Sequence, residues 1–176
     1  MIHCAEDIKK VIRDIPDFPK AGILFKDITP VLKDPACFRF VVDEVARQLE
    51  QSGKIDFVVG IESRGFIMSP VLAYKLNAGF VPVRKKGKLP YRTEQESYTL
   101  EYGEAILEIH QDAVHPGSRI VIIDDLLATG GTALAAARLV EKLGGQVVKI
   151  AFLVELLFLA GRKKLSSYDV FSLVQY

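Results

Sequence analysis

The sequence is poor in cysteine, with only Cys4 and Cys37 among 176 residues. Their spacing fits neither a CxxC motif nor a zinc site, and no cluster of cysteine and histidine lies near either of them. This excludes a zinc-stabilised module and a redox dithiol. We expect both thiols to be free in a reducing compartment, which predicts a cytoplasmic protein.

The sequence also lacks an excess of charge and a long hydrophobic run. Its formal net charge is +1, so no overall field attracts nucleic acid or an anionic membrane. The longest apolar stretch, residues 147–160, is interrupted by Lys149 and Glu155 and is too short to cross a bilayer. Residues 1–7 are too polar for a signal peptide. We therefore expect no nucleic-acid partner and no membrane partner.

No internal repeat, low-complexity segment or linker divides the sequence, and its length suits one domain, residues 1–176. Apolar runs at 55–61, 79–83, 119–123, 147–154 and 170–173 alternate with helical patterns at 35–52, 65–76 and 132–143. Strands that alternate with helices predict an α/β fold with a mostly parallel central sheet flanked by helices. Ligands of such sheets bind at the carboxyl ends of the strands.

The most informative segment is residues 121–132, VIIDDLLATGGT. A β-branched run ends in Asp124 and Asp125, and a small Gly/Thr-rich turn and a helical pattern follow. One such acid would most simply cap the helix, but two adjacent carboxylates repel each other and are stabilised by a ligand with donors or by a metal. The N–H groups of the turn and the helix N-terminus can hold a phosphate. The segment predicts a site for a sugar phosphate.

A second candidate segment, residues 62–66 (ESRGF), directly follows the apolar run at 55–61. Ser63 could simply cap the next helix. Alternatively, Arg64 and the neighbouring N–H groups could bind a phosphate, because a guanidinium group matches phosphate geometry.

The third candidate segment, residues 84–105, begins with a basic run in which apolar residues nearly vanish as far as Glu96. Most such runs are solvated surface loops. However, Arg84, Lys85 and Lys88 could also neutralise a diphosphate, and a mobile loop that closes over the site would exclude water from the reaction. Alternating apolar residues between 98 and 109 predict a hairpin that closes this loop.

Together these segments resemble the type I phosphoribosyltransferase family, and residues 121–132 resemble its motif for 5-phosphoribosyl-1-diphosphate (PRPP). The resemblance implies that Asp124 and Asp125 bind the ribose 2- and 3-hydroxyls. It implies that the 5-phosphate is held by the turn, residues Ala128, Thr129, Gly130, Gly131 and Thr132. It also implies that Ser63, Arg64, Arg84, Lys85 and Lys88 bind the diphosphate. Magnesium (Mg2+) would be carried by that diphosphate, with no direct protein ligand.

The segments 84–90 (RKKGKLP), 97–103 (SYTLEYG) and 16–30 (PDFPKAGILFKDITP) resemble the adenine phosphoribosyltransferases within this family. In those enzymes residues corresponding to 1–34 form an N-terminal segment with a hood over the base. The resemblance implies catalytic roles for Glu101 at the purine N7, for Tyr102 over the reacting centre, and for Arg64. It implies that Leu24, Phe25, Lys26 and Leu126 bind adenine, although relatives often have arginine where this chain has Lys26.

The function implied by this resemblance is purine salvage: transfer of 5-phosphoribosyl from PRPP to N9 of adenine, giving AMP and diphosphate. The resemblance also implies a homodimer in which Arg84 and Lys85 reach the diphosphate of the neighbouring subunit. One alternative is a PRPP-sensing regulator of the same fold, which would need a nucleic-acid surface or a further domain. Another is a sister transferase for guanine, hypoxanthine, xanthine or orotate, which the hood and residues 100–103 disfavour.

Overall fold

The structure is a computed structural model that describes residues 2–99 and 104–176. The chain divides into two compact units, Met1–Glu44 and Val45–Tyr176. Whether they behave as the single domain expected for residues 1–176 stays a prediction. Among the described residues, no helix combines the length and apolar character needed to traverse a bilayer.

The first unit contains short helices and one pair of strands. Its elements are α1 (Ala5–Val11), β1 (Arg13–Pro16), β2 (Leu24–Asp27), α2 (Thr29–Lys33) and the first part of α3 (Pro35–Glu50). Strands β1 and β2 are antiparallel, with Ile15 opposite Phe25. Helix α3 begins where the sequence predicts, because the Asp34 carboxylate accepts hydrogen bonds from the N–H groups of Ala36 and Cys37 at 2.8 and 2.9 Å.

The second unit is built on a sheet of seven strands among the described residues. In chain order the unit contains β3 (Phe57–Ile61), α4 (Gly65–Lys75), β4 (Gly79–Lys85), β5 (Thr93–Thr99), β6 (Glu104–His110), β7 (Arg119–Leu127), α5 (Gly131–Lys142), β8 (Gln146–Glu155) and β9 (Val170–Gln175). The spatial order is β5-β6-β4-β3-β7-β8-β9, parallel from β4 to β9 and antiparallel at β5 and β6. The predicted α/β class with a mostly parallel sheet is confirmed.

The predicted loop from Arg84 to about Glu96 is wrong at both ends. Strand β4 continues to Lys85, and β5 already begins at Thr93 and pairs with β6 as the predicted hairpin. Strand β5 is an edge strand, so it can be polar without burying apolar side chains. Its Glu96 carboxylate instead forms an ion pair with Lys142 of α5 at 2.6 Å.

One other boundary differs from the sequence-based expectation. Strand β7 does not end before the two acids but continues through them to Leu127, because it pairs with β8 as far as Leu127 opposite Glu155. The segment between β8 and β9 contains two 3₁₀ turns, Leu157–Leu159 and Gly161–Leu165. Pro82 lies inside β4, where it pairs with Gly60 of β3 and precedes the two residues, Arg84 and Lys85, that pair with β6. Pro82 therefore has a partner strand on one side only, so its missing N–H costs the sheet no hydrogen bond.

The core of the second unit lies between its sheet and its helices. Fully buried members include Val59, Ile61, Val83, Ile120, Ile122, Ala136, Leu139 and Val140. Helix α4 starts close to the end of β7, since a methyl group on Gly65 would lie only 2.8 Å from the carbonyl oxygen of Ile123. This close approach, which only glycine permits, brings the residue before the helix, Arg64, to the two acids of β7.

Candidate active site

An acid pair and an arginine meet at the carboxyl end of β7. Asp125 is buried, and its Oδ2 lies 2.9 Å from Nε of Arg64. The N–H of Asp125 donates to Oδ1 of Asp124 at 2.9 Å. The structure therefore brings together the residues predicted to bind ribose and one residue predicted to bind diphosphate.

Burial and mutual repulsion shift the protonation of this acid pair. Loss of hydration, reinforced by the negative charge of Asp125, raises the pKa of Asp124 well above its usual range. Loss of hydration also raises the pKa of Asp125, although the Arg64 guanidinium acts in the opposite direction. Two desolvated carboxylates favour a ligand that donates hydrogen bonds to both, as a vicinal diol does.

The turn between β7 and α5 encloses a small cavity beside the acids. Gly130 has a φ of +79°, a conformation that favours glycine, and α5 begins directly after it. The cavity measures about 60 Å³ and is lined by Asp124, Leu126, Leu127, Ala128, Thr129, Gly130, Thr132, Ala133 and Phe152. It lies at the positive end of a helix of three turns, which suits a bound anion. Leu126, expected to contact adenine, lines the same cavity.

Glu62 opens the second candidate segment, where it was assigned no role, and it binds the cations of the basic segment. Its carboxylate accepts hydrogen bonds from Lys88 Nζ at 2.8 Å, from Arg84 Nη2 at 3.2 Å and from the Lys85 N–H at 3.2 Å. Burial acts to raise the pKa of Glu62, but these bonds outweigh it and lower that pKa to about 2. The peptide bond that joins Glu62 to Ser63 is cis.

A second glutamate, Glu108, anchors the same basic segment to the sheet. It is buried on β6, and its Oε1 accepts hydrogen bonds from the N–H groups of Lys88 and Leu89, both at 2.9 Å. The available sequence signal is an acid between the apolar Leu107 and Ile109, and it points to the face of the strand opposite to theirs. Lys85 differs from Arg84 and Lys88, because its side chain forms no ion pair with any described residue.

The residues expected in the hood lie in the unit Met1–Glu44. Leu24 is exposed, and the ring of Phe25 packs edge-on against Phe18 with centroids 5.1 Å apart. Lys26 has a side chain that is only 8% exposed, and its Nζ lies 2.6 Å from Oδ1 of Asp14. This ion pair neutralises the ammonium group of Lys26.

The protein-family model of the phosphoribosyl transferase domain matches residues 31–175 of the sequence. The chain belongs to the phosphoribosyltransferase family. An adenine phosphoribosyltransferase from Thermoanaerobacter sp. (strain X514) is 58% identical over 171 residues, which are 97% of this chain and 98% of that protein. The crystal structure of adenine phosphoribosyltransferase from Thermoanaerobacter pseudethanolicus is 57% identical, with a TM-score of 0.94, and the match covers 98% of this chain and 99% of that one.

A third relative is the adenine phosphoribosyltransferase of Saccharomyces cerevisiae, solved with an imino-altritol bisphosphate and adenine. It is 44% identical with a TM-score of 0.93, and the match covers 96% of this chain and 97% of that one. The resemblance read from the sequence is thus confirmed, both for the phosphoribosyltransferase family and for its adenine branch.

Two residues expected in phosphoribosyltransferase catalysis, Glu101 and Tyr102, lie outside the described residues. Strand β5 ends at Thr99 and β6 begins at Glu104, on either side of them. Within residues 2–99 and 104–176, no group of three or more His, Cys, Asp or Glu side chains is arranged to hold a metal ion.

Proposed function

We propose that the protein transfers the 5-phosphoribosyl group of PRPP to N9 of adenine, forming AMP and diphosphate in a purine salvage reaction. The observation that carries the proposal is the Arg64–Asp125 contact at 2.9 Å, beside a small anion-sized cavity at the start of α5. Groups suited to a diphosphate, a diol and a phosphate thereby adjoin one another. The names of the relatives and the adenine bound in the yeast enzyme support the same reaction.

The donor would bind along the carboxyl end of β7. Asp124 and Asp125 would accept hydrogen bonds from the ribose 2- and 3-hydroxyls, offsetting the cost of burying two carboxylates. The 5-phosphate would bind in the turn formed by residues Ala128, Thr129, Gly130, Gly131 and Thr132. There the backbone N–H groups, the two threonine hydroxyls and the α5 dipole favour an anion.

The diphosphate would lie beside Ser63 and Arg64. Lys88, which Glu62 holds beside Arg84, would neutralise its charge, together with Arg84 and Lys85 from the neighbouring subunit of the dimer proposed below. Mg2+ typically uses few protein carboxylates and several phosphate oxygens, and the described residues offer no closed cluster of metal ligands. We infer that the ion arrives with the diphosphate, where it would neutralise negative charge on the leaving group.

In the reaction the bond from C1 of the ribose to diphosphate breaks while the bond to adenine N9 forms. Positive charge develops on the ribose ring, so the protein mainly positions the reactants and controls charge. Glu101 would hold the proton at N7, and Tyr102 would cover the reacting centre.

Phe25 would stack on the base, with Leu126 beside it, and the backbone of Leu24 and Lys26 would read its edge. A buried polar group without a hydrogen-bond partner costs roughly 1–3 kcal/mol of binding free energy. This is enough for the protein to prefer 6-amino over 6-oxo purines.

A homodimer is part of the proposal, supported by an apolar stripe on the surface of the second unit. Ile67, Val71 and Tyr74 lie at i, i+4 and i+7 on α4 and are 40%, 38% and 89% exposed. Phe80 on β4 is also exposed, and exposed apolar groups of this kind mark interaction surfaces. We propose that a second copy covers this stripe, that Arg84 and Lys85 act at the neighbour's diphosphate, and that the protein is cytoplasmic.

A side-by-side assay of adenine, guanine, hypoxanthine, xanthine and orotate with PRPP and Mg2+ tests the function. We expect AMP and diphosphate from adenine and little product from the other bases. Turnover of another base in preference would identify a sister transferase. Tight PRPP binding without turnover of any base would instead favour a PRPP-sensing regulator.

A further inference from the structure

Gly161, in the 3₁₀ turn after β8, lies against the phosphate turn with no room for a side chain. A methyl group on its Cα would lie 2.1 Å from the carbonyl oxygen of Ala128 and 3.0 Å from the amide nitrogen of Gly130. Conversely, a methyl group on Gly130 would lie 2.5 Å from the carbonyl oxygen of Gly161. Because non-bonded heavy atoms prefer separations of about 3.5 Å, these two backbone segments can meet only as glycines.

This contact fixes the orientation of the peptide group between Ala128 and Thr129. The methyl position on Gly161 is nearer to the Ala128 carbonyl oxygen, at 2.1 Å, than to its carbon, at 3.0 Å, so the C=O points toward Gly161. In a trans peptide the N–H points the opposite way, so the N–H of Thr129 faces away from Gly161. Throughout residues 2–99 and 104–176, this N–H donates to no protein acceptor, and Thr129 lines the cavity of about 60 Å³.

The residue after Gly161 is held by a buried carboxylate. Arg162 donates to both oxygens of Glu155, with Nε 3.0 Å from Oε1, and its Nη1 donates to the Val170 carbonyl at 2.7 Å. The Glu155 side chain is 3% exposed and also accepts a hydrogen bond from the Ser172 hydroxyl at 2.7 Å. A bidentate arginine–carboxylate pair is strongly directional, so it fixes the path of the chain at Gly161.

The other end of this segment is tied to the base of the phosphate turn. Glu155 is the last residue of β8 and lies opposite Leu127, the last residue of β7. The N–H of Leu156 donates to the carbonyl of Leu127 at 2.9 Å. Residues 155–162 are thus attached at both ends, by β7 on one side and by the Arg162–Glu155 ion pair on the other.

We propose that Gly161, fixed by the Arg162–Glu155 ion pair, is a positioning residue for the 5-phosphate of the substrate. It holds the Ala128–Thr129 peptide so that the N–H of Thr129 is presented to the anion. The inference rests on the proposed function, because it requires the turn to bind the 5-phosphate of PRPP and AMP. It predicts an effect on the 5-phosphate alone, since diphosphate binds beside Arg64.

The test compares two ligands by calorimetry on the full-length protein: AMP, which carries the 5-phosphate, and inorganic diphosphate with Mg2+, which does not. We expect Gly161→Ala to weaken AMP binding about tenfold or more, the value of one hydrogen bond to a charged group, and to leave diphosphate affinity unchanged. The matched control is Gly145→Ala at the opposite end of β8. There the methyl group would meet the Ile120 side chain at 2.5 Å, far from the turn. We expect this control to lower the melting temperature and to retain AMP affinity.

Unchanged AMP affinity in a folded Gly161→Ala variant would overturn the proposal, and so would equal losses for AMP and diphosphate, which would indicate a general structural role. If Gly161→Ala does not fold, Arg162→Lys replaces it, because lysine keeps the charge but loses the bidentate geometry. The same selective loss for AMP is then expected, and no selectivity would count against the proposal. A wild-type protein that binds neither AMP nor PRPP would instead refute the proposed function itself.

Discussion

Nε of Arg64 lies 2.9 Å from Oδ2 of Asp125, which ties the loop after β3 to the end of β7. The guanidinium opposes the effect of burial on the pKa of Asp125 and so favours the ionised carboxylate. In the proposed reaction Arg64 binds diphosphate and Asp125 binds ribose. The two halves of the donor site are therefore coupled through one ion pair, and a change in either residue affects both.

Replacing the buried acid tests the ribose assignment. We expect Asp125→Asn to weaken PRPP binding about tenfold or more, because a neutral amide accepts weaker hydrogen bonds than a carboxylate and leaves Arg64 without its counter-charge. Calorimetry with Mg2+ measures the affinity. Asp112→Asn, which removes the same charge from an exposed turn, should bind PRPP like the wild type. Equal affinities for wild type and Asp125→Asn would refute the assignment.

The raised pKa of Asp124 predicts how stability depends on pH. A carboxyl group with a raised pKa binds a proton more readily in the folded than in the unfolded state. Stability therefore falls as the pH rises from the usual value of 3.8 through the raised pKa. Asp124→Asn removes this penalty, and each pKa unit corresponds to about 1.4 kcal/mol. We expect the variant to be more stable than the wild type near neutral pH, with a difference that shrinks toward about pH 4.

Urea unfolding at a series of pH values measures this difference, with Asp112→Asn as the exposed control. The control should follow the wild-type curve. An Asp124→Asn variant that is less stable than the wild type at neutral pH would show that the burial of Asp124 carries no penalty.

The sequence predicts those parts of the fold that local patterns of residues specify. Asp34 and Pro35 start a helix through contacts two and three residues away, and residues 121–132 specify strand, turn and helix in one run. The first part of strand β5 escapes prediction because an edge strand needs no apolar face, and its Glu96 has its ion-pair partner on α5. The role of Glu62 depends on Lys88, 26 residues away, and no local pattern encodes such a pairing.

The depressed pKa of Glu62 predicts the opposite pH dependence from that of Asp124. A carboxyl group whose pKa is lowered stabilises the folded state above its usual value of 4.5, and this contribution is lost as the pH falls toward about 2. We expect Glu62→Gln to lower the free energy of unfolding at pH 7 by about 1–3 kcal/mol. The effect is no larger because the cationic partners are partly exposed and water screens their charges. Urea unfolding should show the difference vanishing in acid. A loss that persists unchanged at about pH 2 would contradict the ion-pair explanation.

Glu101 is predicted to act in the transfer step itself. If it holds the proton at N7, Glu101→Leu should lower kcat by about 100-fold or more and leave PRPP affinity within about twofold, because its contact forms with the base and not with the donor. Steady-state kinetics gives kcat, and calorimetry gives the affinity for PRPP, which serves as the internal control for folding. Turnover close to that of the wild type would remove Glu101 from the mechanism.

The exposed stripe on α4 predicts the oligomeric state. Val71→Glu introduces a charge among Ile67, Val71 and Tyr74, so we expect it to convert a dimer of twice 19.5 kDa into a monomer. Multi-angle light scattering measures the mass. Gln111→Glu, which adds the same charge to the exposed turn after β6, should remain dimeric. A wild-type protein that scatters as an active monomer would refute the interface.

Mixed dimers test whether Lys85 serves the neighbouring subunit. If Lys85 acts across the interface, each site combines Asp125 of one subunit with Lys85 of the other. In a dimer of one Lys85→Ala subunit and one Asp125→Asn subunit, one site therefore carries both changes and the other carries neither. Each mixed dimer of the two variants then keeps one site with Lys85 from one subunit and Asp125 from the other. Random exchange makes half of the molecules mixed, so at limiting PRPP the mixture should recover about a quarter of wild-type activity. If Lys85 acts within its own subunit, every site carries one of the two changes, and mixing should restore nothing.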